Sequence, residues 1–177
     1  MGTTEEETFT FFHGTARIYQ RHIARHGLRS FRESGEVSVT PVRARALRYA
    51  QMWAVGLNAI GQMDKPQGIV VTCELGADTT LLEYQTDEFS VRPVPASAIK
   101  TIEHFDFTEL SQNEKTMHLL DLFTVVHWDY DRYTRDKYDL LAIELDKAIR
   151  QIPADELRQA NAEQFEKVRR SLSQRFD

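Results

Sequence analysis

From residue 8 to about residue 107 the chain alternates short β-like runs with short helical ones; beyond Thr108 it is almost wholly helical and charged. Enrichment in Val, Ile, Thr and Phe, with apolar and polar positions alternating in several places, predicts strands at 8–12, 36–40, 68–75, 88–94 and 99–107. Pro93 weakens the fourth and suits an edge or a strand end, because proline brings no N–H to a ladder. A helix is predicted over 16–26, with Ile18, Tyr19, His22 and Ile23 grouped on one face and Gly27 as its stop. Pro41 fits the first turn of a second helix, where a missing N–H costs nothing. That helix carries Ala44, Leu47, Ala50, Met52, Trp53, Leu57 and Ile60, with Gln51 as a polar member of the run. Residues 61–68 read as a loop, with Asp64 and Pro66 as turn formers.

The C-terminal part predicts three helices, at 109–126, 135–151 and 154–176. Leu140, Leu141, Ile143, Leu145 and Ile149 supply the middle one with a face to bury. Leu157, Phe165, Val168 and Leu172 are sparse apolar points in the last, which therefore lies on the domain surface or meets a partner protein. The pattern is α+β. It divides into a mixed core at 1–107 and a helical C-terminal extension at 108–177, packed together as one domain.

Composition narrows the picture. A chain of 177 residues, 41% hydrophobic and 28% charged, fits one globular domain with a proper core. Its apolar runs, such as Gly68-Ile69-Val70-Val71, are too short for a membrane span, and the polar, acidic first seven residues do not read as a signal peptide. Cys73 is the only cysteine, so no disulfide forms within the chain and a reducing, cytoplasmic setting is expected. The net charge of −5 argues against a broad electrostatic grip on nucleic acid, though Arg17, Arg21, Arg25, Arg29 and Arg32 form a local row. At helical spacing the first three share one side, either as a solvated face or as a phosphate-binding patch.

Three short stretches carry candidate chemistry. In Phe11-Phe12-His13-Gly14-Thr15 a histidine is placed to donate a hydrogen bond to a sugar hydroxyl, and the glycine lets the backbone approach a flat ligand edge. The bland alternative is a turn at a strand end. In Val37-Ser38-Val39-Thr40-Pro41, Ser38 and Thr40 share a strand face, and their hydroxyls serve a ligand or cap the next helix. Tyr49, about two turns into that helix, either stacks on an aromatic ligand or packs in the core. Glu88 opens the fourth strand, where a carboxylate stabilises positive charge at a reacting carbon or simply faces solvent; Asp87 and Glu83 are neighbouring acids.

Taken in order, FFHGTARIYQRHIARHGL, VSVTPVRARALRYA, GIVVTCEL and DEFSVRPVPASAIKTIE resemble the ADP-ribosyltransferase superfamily over roughly residues 8–104. That superfamily includes poly- and mono-ADP-ribosyltransferases, bacterial toxins and RNA 2′-phosphotransferases. The resemblance implies a split β-sheet core with flanking helices, NAD as co-substrate, and transfer of ADP-ribose to a protein or nucleic-acid acceptor with release of nicotinamide. It implies that His13 binds the nicotinamide-side ribose and that the Gly14 backbone holds the nicotinamide amide. It further implies that Tyr49 stacks on the nicotinamide ring and that Glu88 is the catalytic glutamate. Thr15 stands where the family often has Ser or Thr, and Ser38 and Thr40 join the NAD-binding set.

The chain also departs from the family's branches. Ser38 stands near the place of a second aromatic in the polymerase group. The strand has fewer hydroxyls than the toxin branch, which carries arginine where this chain has His13. Thr86, two residues before Glu88, replaces the Glu or Gln that marks arginine-directed transferases. Polymer formation is not expected on so small a scaffold, and whether the protein acts as toxin, defence factor or housekeeping modifier stays open.

Other readings remain. A 2′-phosphotransferase-like reaction would draw on His22, Arg25, His26 and Arg43 for an RNA phosphate; a catalytically inactive NAD- or protein-binding module would act through the C-terminal helices; a plain structural α+β domain would need neither. In His127-Trp128-Asp129-Tyr130-Asp131-Arg132-Tyr133, His127 and Asp129 lack further spaced metal ligands. This stretch fits an aromatic joint between helices, with Trp128 and Tyr130 also available for acceptor recognition. No metal site is expected.

Overall fold

A computed structural model of the chain describes residues 7–30, 35–128 and 135–173. Within them the fold is α+β: two three-stranded antiparallel sheets and five α-helices. In chain order the elements are β1 (Thr8–Ala16), α1 (Gln20–His26), β2 (Val37–Val39), α2 (Arg43–Ala59), β3 (Gln67–Gly76), β4 (Leu82–Gln85), β5 (Glu88–Val91), β6 (Ile99–Asp106), α3 (Gln112–Trp128), α4 (Arg135–Arg150) and α5 (Ala154–Ser173). One sheet runs β1-β3-β6 and the other β2-β5-β4.

The first sheet is covered on both faces. Phe11 of β1 and Ile69, Val71, Cys73 and Leu75 of β3 point into a core shared with Val37, Val39 and Val91 of the second sheet and with Ile23 of α1. The alternate residues, with Val70 buried among them, turn toward Ala46, Ala50 and Ala54 of α2. The near-continuous apolar run in β3 is thus the mark of a strand buried on both sides. One isolated backbone pair ties β1 to the residue after β2, and a second ties the segment after α1 to the segment after β5. Phe12 N–H donates to Thr40 O at 2.8 Å and Thr40 N–H donates to Phe12 O at 3.0 Å. Leu28 and Val94 exchange the same bonds at 2.9 and 3.0 Å.

α3 and α4 complete a core with α2. Met52 and Leu57 of α2 pack with Leu119, Leu122 and Val126 of α3 and with Leu141 and Leu145 of α4. The helical extension therefore shares its interior with the residues before 107. Gly56 makes the approach possible, since a Cβ there would fall 2.1 Å from Leu122 Cδ2. α3 begins at Gln112, not at 109, because Ser111 and Glu114 form a capping box: Glu114 N–H donates to Ser111 Oγ at 3.2 Å and Ser111 N–H to Glu114 Oε2 at 2.8 Å.

Several expectations change. β1 does not stop at residue 12 but runs through His13 and Gly14 to Ala16, paired with β3 throughout, so the His-Gly pair is not a turn. α2 starts at Arg43 after an N-cap at Val42, two residues beyond Pro41. The loop over 61–68 gives way to β3 at Gln67, and the strand predicted over 88–94 ends at Val91, before Pro93. β4 is absent from the expected strands; its Leu82 and Tyr84 alternate with polar residues over only four positions, and all four are exposed. It forms a hairpin with β5 through Thr86 and Asp87, where Asp87 takes the left-handed φ of 59°.

On the predicted apolar faces, Ile18 and His22 are exposed while Ile23 is buried, and Ala44 is exposed. On α4, Leu141 and Leu145 are buried, whereas Leu140 and Ile143 are 68% and 50% exposed. Burial follows the i, i+4 row; Leu140 lies about a quarter of a turn from it and Ile143 on the opposite side of the helix. The side chains of Phe165, Val168 and Leu172, and residues Arg32 and 129–134, lie outside what the structure describes.

Candidate functional site around Tyr49 and Glu88

The site is assembled where the first turns of α2 cross β1 and reach β5. α2 lies so close to β1 that a Cβ on Gly14 would fall 1.6 Å from Ala46 O and 2.9 Å from Ala50 N. The missing side chain at Gly14 is thus required by helix packing, a role the sequence reading did not assign. The Tyr49–Ala50 peptide rests directly on Gly14, which brings Tyr49 beside the His13-Gly14 pair.

Gly14 is buried, and its N–H and C=O point away from β3. β1 has β3 on one side only, and both Phe12 hydrogen bonds to Thr40 leave from the other side. In an antiparallel strand these directions repeat every second residue, so the N–H and C=O of Gly14 point to the same side of β1 as those of Phe12.

Arg45 and Tyr49 are spaced i, i+4 on α2 and share a face. The Tyr49 hydroxyl lies 2.9 Å from Glu88 Oε1 and 2.8 Å from Oε2, and it donates to this carboxylate. Arg45 Nη1 lies 3.6 Å from Glu88 Oε1 and also donates to Thr86 O, pinning the turn that precedes Glu88. Glu88 is buried, 5% exposed, so it is not a solvent-facing acid. A buried carboxylate needs such partners, because an unpaired one carries a large desolvation cost. Burial, then the adjacent Glu88 carboxylate, push the Tyr49 hydroxyl well above the ordinary tyrosine value, so it remains a donor. Glu83 is exposed on β4, and Asp87 forms the hairpin turn; neither is placed like Glu88.

His13 is half-buried, with Nδ1 2.8 Å from Ser38 O. A carbonyl only accepts, so Nδ1 carries the proton and donates. Burial lowers the ring's pKa below the usual 6.5, against the opposing effect of the Ser38 bond, which leaves Nε2 as the acceptor of a neutral imidazole. A sugar hydroxyl at Nε2 would donate to the histidine, the reverse of the direction expected from the sequence. Ser38 thus contributes its carbonyl, and it pairs with Ser90 of β5. Thr40 is buried, and its Oγ1 accepts from Val42 N–H at 3.1 Å; it closes the turn before α2 and is not the helix cap. Thr15 is buried opposite Ile69.

The other candidates fall elsewhere. Arg43 is held by Glu103 of β6, with Nε to Oε1 at 3.1 Å and Nη2 to Oε2 at 2.5 Å, so it does not join His22, Arg25 and His26 on α1. His127 donates from Nδ1 to Phe123 O at 2.8 Å and stacks on the Phe123 ring within its own helix. Its supposed metal partner Asp129 lies outside the described residues. An open depression of about 520 Å³ between Arg17, Ile18, Met63 and Lys65 sits beyond the end of β1 and contains none of the residues named for NAD. Arg45 was missed by the sequence reading. Its signal was the i, i+4 spacing to Tyr49, which gains meaning only once both residues are known to face β5.

Compared with known protein families and with curated proteins, the chain matches none of them. Among the described residues, no helix is long and apolar enough to cross a membrane.

Proposed function

We propose that the protein is an NAD-dependent ADP-ribosyltransferase that releases nicotinamide and modifies a macromolecular acceptor. The observation that carries this reading is the contact between Tyr49 and Glu88, which are 39 positions apart in the chain. Two residues named for one ligand by motif order alone also share a hydrogen bond. The Gly14 N–H and C=O, turned away from β3, support the same reading, since an amide edge such as that of nicotinamide needs one donor and one acceptor side by side. The two bridged antiparallel sheets accord with the family's split-sheet core.

In this reading the nicotinamide lies along the Gly14 edge against the Tyr49 ring, with the adjoining ribose near His13. Loss of nicotinamide leaves positive charge on ribose C1′. Glu88 opposes that charge and orients the sugar, an electrostatic contribution realised most fully in the transition state. The Tyr49 hydroxyl and Arg45 hold the carboxylate in place while the ring face of Tyr49 stays available for stacking.

The test is nicotinamide release from NAD by the purified protein beside Glu88→Gln, with cell lysate added as a source of acceptors. Release that requires both Glu88 and lysate supports transfer. Release without lysate makes the protein an NAD glycohydrolase acting from the same site. Full release by Glu88→Gln removes Glu88 from the mechanism. No release, together with no NAD binding by calorimetry, overturns the reading.

A further inference from the structure

The charge of this acidic protein is unevenly distributed. From residue 8 to residue 32 the chain carries Arg17, Arg21, Arg25, Arg29 and Arg32 with His13, His22 and His26, and no Asp or Glu. The structure gathers most of these on one surface. α1 buries Ile23 toward the core, while Arg21, His22, Arg25 and His26 are exposed, as are Arg17 before the helix and Arg29 after it. Among the described residues Arg21, Arg25 and Arg29 have no ion-pair partner, unlike Arg43, Lys147, Arg150 and Arg158, each of which has a carboxylate. The cationic side of α1 is therefore not neutralised by any described carboxylate.

We infer that this face binds a single strand of nucleic acid. Guanidinium groups left unpaired are suited to phosphate, which they engage through a planar two-pronged donor set. The His22 and His26 rings lie 4.8 Å apart, centroid to centroid, on the same exposed side and offer flat faces to unstacked bases. The open depression that Arg17 and Ile18 share with Met63 and Lys65 adjoins the row, with Asp64 as its one acid, and extends the surface beyond α1. The pairing of cations with flat rings and a neighbouring hollow favours a flexible strand over an acidic protein surface, which would use the charges and not the rings. If the proposed transfer reaction holds, the bound strand is the acceptor; that step alone rests on the proposed function.

The test uses the full chain without NAD, and fluorescein-labelled oligothymidine and oligouridine of fifteen nucleotides followed by anisotropy. Engagement of about three phosphates predicts that affinity falls about 20-fold between 50 and 200 mM salt. Arg21→Glu with Arg25→Glu is expected to weaken binding at least about tenfold and to flatten the salt dependence by about two phosphates' worth. Lys147→Glu with Arg150→Glu on α4 makes the same change in net charge and is expected to stay within about twofold. A milder pair, Arg21→Gln with Arg25→Gln, checked for an unchanged circular dichroism spectrum, guards against misfolding. No binding of either oligonucleotide at 50 mM salt, an equal loss in the α4 control, or equal displacement by polyglutamate would overturn the inference. Absence of NAD turnover by the parent protein with strand binding retained counts against the proposed function only.

Discussion

The hydroxyl of Tyr49 on α2 meets both carboxylate oxygens of Glu88 on β5, at 2.9 and 2.8 Å. A single O–H is shared between the two oxygens, which leaves the carboxylate oriented but with acceptor capacity unused. Arg45, one turn earlier on the same helix, lies near one of those oxygens and holds the backbone just before Glu88.

Tyr49→Phe separates the two duties proposed for this side chain. The ring stays and the hydroxyl goes, so NAD affinity is expected to change little while the rate of nicotinamide release falls about tenfold. Glu88→Gln is expected to lower the rate about 100-fold or more. Steady-state kinetics check both; a raised KM with unchanged kcat in Tyr49→Phe would mean that the hydroxyl acts in binding and not in placing Glu88. Removing the donor from a buried acceptor is also expected to cost about 1–3 kcal/mol of stability, measurable by urea unfolding.

Gly14→Ala is expected to be far more damaging than Gly56→Ala. At Gly14 the added Cβ meets the Ala46 carbonyl, backbone of a helix that cannot yield locally; at Gly56 it meets the end of the Leu122 side chain, which can change rotamer. A loss of about 3 kcal/mol or more at Gly14, against about 1–2 kcal/mol at Gly56, is expected from urea titrations.

His13 makes stability depend on pH in a defined direction. Its pKa is lowered in the folded chain, so below the unfolded value of 6.5 the unfolded chain binds the proton more readily. The stability associated with the neutral ring is present above 6.5 and is lost as pH falls through the folded value. Between pH 7 and pH 5 the melting temperature of the parent is expected to fall more than that of His13→Gln. An equal fall in both would place the pH dependence elsewhere.

Cys73 is buried beneath the sheets, and burial pushes its thiol up to about 11. Two consequences follow from the shortage of thiolate. Alkylation by iodoacetamide at pH 8 is expected to be slow in the native protein and fast in urea. Because the folded pKa is raised, the stability that this group confers is intact below the unfolded value near 9 and declines as pH rises toward 11. Cys73→Ser, compared from pH 8 to pH 10.5, is expected to lose less stability over that range than the parent.

Local pattern was enough for the α+β class, for the buried β3 with its run from Ile69 to Val71, for the stop of α1 at Gly27, and for the boundaries of α4 to within a residue. These features depend on propensity, periodicity and caps that act over a few residues. It was also enough to name His13, Tyr49 and Glu88 as candidates, though not to say what they touch. Only the tertiary structure decided that β1 continues through Gly14, because its pairing partner, Val70 of β3, lies far along the chain. It decided that Leu140 and Ile143 stay exposed, since burial depends on which neighbours arrive and not on hydrophobicity alone. It joined Tyr49 and Arg45 to Glu88 for the same reason: a hydrogen bond between distant segments has no signature in either segment. That pairing is set by the register between β2 and β5 and by the close approach of α2 to β1.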